Sequence, residues 1–160
     1  MKNFLYLILA LAISPAAISA HHEGDSLKES GKNPFILIAR IQVKEGMVDE
    51  YLKIANTVDN AVESSEPGML FHNFDSDPDN PLAFTWTEVY SNSKAFIKHG
   101  ANPPVQEYVT KHAELADGFT IEVYGNVSQE VIDTINRLEV PLKHFKTTRV
   151  GYVRAKNFLE

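Results

Sequence analysis

Residues Met69–Tyr90, MLFHNFDSDPDNPLAFTWTEVY, set two apolar runs on either side of a stretch that concentrates Asp, Asn and Pro. Met69 to Phe74 and Leu82 to Tyr90 read as strands, and Asp75 to Pro81 reads as the turn that joins them into a hairpin. Successive side chains on a strand point to opposite faces. Phe84, Trp86, Glu88 and Tyr90 therefore share one face of the second strand, opposite the smaller Ala83, Thr85, Thr87 and Val89. The large face is the one expected to meet helices. On the first strand His72 and Asn73 fall on opposite faces, so the two cannot line one cavity together.

Working outward, Phe35 to Val43 (FILIARIQV) reads as a buried strand closed by Lys44-Glu45-Gly46. From Met47 to Glu63 the apolar residues Met47, Val48, Tyr51, Leu52, Ala55, Val58 and Val62 recur at helical spacing, and Glu66-Pro67-Gly68 stops the helix. After the hairpin, Asn92 or Ser93 caps a short helix through Phe96 and His99, and Gly100 breaks it. Pro103-Pro104 opens a further helix toward Glu114, and Phe119 to Tyr124 is a fourth strand. The order β-α-β-β-α-β predicts an α+β fold, a ferredoxin-like split β-α-β unit with an antiparallel sheet and helices on one face. Its open face calls for a second sheet, which points to a homodimer. Ser128 is expected to cap a helix through Val131, Ile132, Ile135 and Leu138, with Phe145 to Arg154 as a final strand.

The chain of 160 residues holds 15 Lys and Arg against 21 Asp and Glu, a formal charge of −6, and no cysteine. The absence of cysteine excludes disulfides, thiolate metal sites, iron–sulfur clusters and a cysteine nucleophile. The acidic balance speaks against nucleic acid as a partner, because phosphate binding needs a surplus of Lys and Arg. Residues 1–20 carry one charge, Lys2, then the apolar run Phe4 to Ile13, Pro15 and small residues up to Ala20, the layout of a cleaved signal peptide. That run is shorter than the roughly 20 residues a membrane span needs, so a periplasmic or secreted protein with no membrane attachment is expected. Residues 21–33 read as a flexible tether, residues 34–127 as the folded domain and residues 128–160 as its helix–strand extension.

The stretch from Glu66-Pro-Gly through the Asp- and Pro-rich turn, followed by Phe84, Glu88-Val-Tyr90 and then His99, resembles the antibiotic biosynthesis monooxygenase family. The resemblance spans Phe35 to Tyr124. It implies a dimeric α+β barrel with one pocket per subunit. Members include cofactor-independent oxygenases of quinols and polyphenols, haem-degrading enzymes and a sugar-phosphate isomerase. His99, nine residues after Tyr90, stands where the family places a helix histidine. An imidazole that titrates near neutrality can take a phenolic proton, leaving an anion electron-rich enough to meet O2 without a cofactor. His99 is thus the candidate general base, with Tyr90 or Glu88 orienting it or the substrate hydroxyl; the plain alternative is a helix-end histidine bonded to a carbonyl.

Phe84 and Trp86 are candidates to stack on a flat aromatic ligand, or else are simple core. His72 is either a polar group of the pocket or a sheet-edge residue, and Phe96, on the helix that carries His99, is grouped with the substrate-binding candidates. A small aromatic molecule and O2 are the expected partners. The haem-degrading relatives have an Asn and a Trp where this chain has Ala39 and Tyr90, which speaks against haem breakdown and leaves haem binding through His99 as the alternative. Asp75, Asp77, Asp79 and Asn80 lack the glycine and distal glutamate of a calcium loop and read as a turn, so no metal site is assigned there. His21-His22 beside a freed amine is a conceivable Cu²⁺ or Ni²⁺ ligand set, or an ordinary polar tail.

Overall fold

Strand β1 (Phe35–Val43) is buried at every second residue, so Phe35, Leu37, Ala39, Ile41 and Val43 form one apolar row down the middle of the molecule. This computed structural model describes residues 33–153; the leader, the rest of the tether with His21 and His22, and Arg154 lie outside the described residues. Around β1 the elements follow as α1 (Val48–Ser65), β2 (Met69–Ser76), β3 (Ala83–Tyr90), α2 (Ser93–Gly100), α3 (Pro103–Leu115), β4 (Ala116–Tyr124), α4 (Gln129–Asn136) and β5 (Leu142–Phe145). The strands form one sheet in the order β2-β3-β1-β4-β5. The first four pair antiparallel, which is the split β-α-β arrangement. Helices cover the face that carries the β1 row.

Packing explains the helical segments. Helix α1 turns Tyr51, Ala55, Val58 and Val62 inward at spacings of four, three and four, and keeps acids in its first turn, where the helix dipole favours them. Helix α2 is capped by Asn92, whose side chain accepts the Ala95 N–H at 3.0 Å. Gly68 closes the turn that brings α1 into β2 and lies hard against α2: a Cβ there would stand 2.7 Å from Ala95 Cβ. Gly68→Ala is therefore expected to cost about 1–3 kcal/mol through overpacking, read as a lower urea midpoint. An unchanged midpoint would show that α2 shifts freely.

Two expectations for the extension need correction. The final strand is Leu142–Phe145, not Phe145–Arg154; it pairs parallel with Ile121–Tyr124, the crossover being α4. Beyond Phe145 the chain leaves the sheet, and Val150 and Tyr152 stand largely in solvent, because the alternating residues there meet no neighbouring strand. Ser128 occupies the N-cap of α4 but its side chain makes no capping bond; its backbone N–H instead donates to Ser93 Oγ at 3.0 Å, tying the start of α4 to α2. The extension is nonetheless firmly docked, with Val131 and Ile135 completely buried.

Candidate active site

The register of the sheet lays out the site. His72, Glu88, Leu37 and Val123 form one row across the buried face, and Phe74, Trp86, Ala39 and Ile121 form the next. Ala39, the smallest side chain of the β1 row, faces Trp86 and leaves space above the sheet. Helices α2, α3 and α4 roof that space, producing a cavity of about 360 Å³. Its wall is mostly apolar, with Leu37, Trp86, Phe96, Phe119 and Ile121, and its polar groups are few: His72, Glu88, His99 and Tyr108 among them. That is the character of a small-molecule site.

His99 is buried in the last turn of α2, and its Nδ1 lies 3.0 Å from Glu66 Oε2. Asn102 donates to the other Glu66 oxygen at 2.6 Å, so both oxygens of this buried carboxylate are fixed. Asn102 also holds the N-cap position of α3, where its side chain makes no capping bond. A carboxylate at Nδ1 leaves the second ring nitrogen as the free one. Among the described residues no buried side-chain nitrogen or oxygen lacks a partner, so this unpaired nitrogen is reachable from the cavity. Burial alone would lower the His99 pKa, but the hydrogen bond to Glu66 and the charges of Glu88 and Glu66 outweigh it and hold it above the ordinary value. Burial likewise works against the charge on Glu66, whose pKa is held below its ordinary value by His99, Asn102 and the nearby His72.

The other candidates arrange themselves around this dyad. Tyr90 is fully buried, stacks on Phe35 and donates its hydroxyl to Glu88 Oε2 at 2.6 Å. Burial and the Glu88 charge push the Tyr90 pKa well up, so its proton stays in place. Tyr90 and Glu88 were expected to orient His99 or the substrate hydroxyl; neither bonds His99, and Glu66, read in the sequence as a helix stop and as part of the family motif but given no role in the site, does. His72 belongs to the pocket; it stacks on Trp86 with ring centroids 4.2 Å apart, bonds Asp59 at 2.8 Å through Nδ1 and places Nε2 4.0 Å from Glu88 Oε1. Trp86 and Phe96 line the cavity. Phe84 does not: it stacks on Phe74 at 5.0 Å, two residues farther along β3, and is core.

Behind Trp86 runs a chain that the sequence did not announce. Trp86 Nε1 donates to Tyr108 Oη at 2.8 Å, Tyr108 and Tyr51 hydroxyls meet at 2.6 Å, and Tyr51 Oη lies 2.7 Å from His112 Nδ1. An indole can only donate, so every hydrogen is used if Tyr108 donates to Tyr51 and Tyr51 donates to a bare Nδ1 of neutral His112. Burial holds the His112 pKa below its ordinary value, which favours the neutral ring that this arrangement needs. Burial also raises both tyrosines. Tyr51→Phe would orphan partners on both sides and is expected to cost about 1–3 kcal/mol in a denaturation curve. A cost near zero would show the chain to be ornamental.

Residues 34–111 match the antibiotic biosynthesis monooxygenase (ABM) family model. That segment is similar to an ABM domain. Among solved structures, a candidate ABM monooxygenase from Bacteroides thetaiotaomicron is 20% identical, with 56% of this chain and 85% of that one covered at a TM-score of 0.53. Another, from Caulobacter crescentus, is 17% identical, with 61% and 93% covered at a TM-score of 0.55. A conserved protein from Methanosarcina mazei is similar at 19% identity, with 61% and 97% covered and a TM-score of 0.55. At these identities the likeness shows the fold alone, a ferredoxin-like α+β arrangement. No curated protein matches the sequence. Glu66, His72, Trp86, Glu88, Phe96, His99 and Tyr108 all lie within the ABM segment, whereas the lining residues Thr134, Arg137 and Leu138 come from the extension beyond it.

Proposed function

We propose that this exported ABM-domain protein is a cofactor-independent monooxygenase of small aromatic, quinol-type molecules and works as a homodimer. The observation that carries this reading is the Glu66–His99 dyad opening on an aromatic cavity. In the reaction the free nitrogen of neutral His99 takes a hydroxyl proton from the quinol. Trp86 and Phe96 hold the ring, and the apolar wall keeps bulk water from the anion. The anion passes an electron to O2, the two join at a ring carbon, and loss of water leaves a hydroxyquinone. One oxygen atom enters the product and the other leaves as water, so quinol and O2 account for every atom.

Dimerisation is supported by the sheet's open face, where Ile36 and Phe71 are exposed beside the half-buried Val89. Export is supported by the signal-like residues 1–20. Haem is a poor fit as the ligand: a tetrapyrrole with its propionates is larger than the 360 Å³ cavity. The test is O2 uptake by residues 21–160 against a panel of quinols and polyphenols, with labelled O2 to follow the inserted atom. Uptake above the spontaneous rate with one labelled atom in the product is expected. No uptake with any member, together with tight binding of one of them, would make the protein a carrier instead.

A further inference from the structure

Helix α4 does more than cover the sheet. Thr134 packs against α2 at Gly100, where an added Cβ would lie 3.7 Å from Thr134 Cγ2, and together with Arg137 and Leu138 it forms part of the cavity wall. Arg137 closes the helix and is exposed, at the rim, while Glu88 and His99 are buried at the inner end. Its pairing is unusual. Asp133 stands four residues earlier, the ordinary position for an ion pair on a helix, yet its carboxylate accepts from Gln129 Nε2 at 2.9 Å. The Arg137 guanidinium turns instead to Thr134 Oγ1 at 2.8 Å, on the cavity side, and no carboxylate among the described residues forms an ion pair with it. The cavity is therefore polarised, with the Glu88 carboxylate at its buried end and, at its rim, a guanidinium that no carboxylate of the described residues pairs with.

We infer that the cavity selects aromatic ligands bearing an anionic substituent, which is seated on Arg137 and Thr134 while the hydroxylated ring points inward to His99. This rests on the functional reading above and adds the substrate class. Guanidinium recognises carboxylate, sulfonate or phosphate through paired N–H donors, and the Thr134 hydroxyl steadies the fork. Glu66 and Glu88 repel an anion from the inner end, so the two ends together fix which way the ligand enters. Gln106, on α3 at the same cavity, adds an amide to the rim.

A matched pair of fluorescent probes tests this: neutral N-phenyl-1-naphthylamine and its 8-sulfonate. Trp86 is the sole tryptophan and a cavity wall, so energy transfer from it reports that a probe is inside. Arg137→Gln is expected to weaken the sulfonate about fivefold to tenfold at low salt and to leave the neutral probe within about twofold. Arg137→Lys should restore part of the loss, and added salt should weaken the sulfonate in the wild type alone. If both probes bind with transfer and Arg137→Gln affects them equally, the anion seat is wrong and the cavity reading stands. If neither probe shows transfer, both readings fall.

Discussion

Replacing His99 by glutamine is expected to lower O2-dependent quinol turnover by about 10²–10⁴-fold, the usual contribution of a positioned base, while the protein stays folded. Glutamine can still donate an amide N–H to Glu66, so the buried carboxylate keeps a partner and the loss is confined to proton transfer. Stopped oxygen uptake with unchanged ligand affinity is the signature. Loss of both together would make His99 a binding residue. The wild-type rate should rise with pH through an inflection above 6.5, because His99 must be neutral to accept a proton and its pKa is held up. Glu66→Gln removes the charge that opposes desolvation, so the inflection should move down; an inflection that stays put would dissociate Glu66 from the base.

The same shifts act on stability with opposite signs. His99, raised in the folded state, stabilises at lower pH and loses its contribution as pH rises through its folded pKa. Glu66, lowered in the folded state, stabilises above its ordinary value of 4.5 and loses its contribution as pH falls through its folded pKa. The dyad's contribution is thus full between about 4.5 and 6.5, and wild type should exceed Glu66→Gln in stability most within that window. His112 works the other way from His99: with its folded pKa depressed, stability falls as pH drops below 6.5. The difference between the two proteins cancels this term.

The largest loss of stability is expected from Ile135→Ala, about 2–5 kcal/mol, because the side chain is wholly enclosed and its removal leaves a hole under α4. Ile132→Ala, at a half-buried position of the same helix, should cost clearly less and serves as the comparison. Urea unfolding followed by Trp86 fluorescence and by far-UV circular dichroism should give one coincident transition, since α4 shares the core with β1 and β3. Two separate transitions would make the extension an independent unit. Ile135→Ala should also weaken probe binding, as Thr134 and Arg137 ride on the same helix.

The alternation of FILIARIQV and AFTWTEVY, the spacing of α1 and the turn residues were enough to read the sheet and its helices, because a period of two or of 3.6 is a local property. The strand at Phe145–Arg154 was misplaced for the complementary reason: pairing depends on which neighbour is present, and only Leu142–Phe145 reaches β4. In the site, His99, His72, Trp86 and Phe96 were legible through face and motif. Glu66 was not, although an acid at a helix C-terminus opposes the helix dipole and was itself a signal. Tyr51 counts in the sequence only as an apolar helix position, and Tyr108 and His112 carry no signal there, since no spacing rule reveals that hydroxyls from two helices meet an indole from a strand.

The sheet ends at β2 on one side and at β5 on the other. β5 is only four residues long and carries Lys143, and β2 runs out into Asp75, Ser76 and an acidic turn. Short and charged borders are poor templates for the backbone of an incoming chain. Concentrated protein is therefore not expected to lengthen its sheet into ribbons through either border.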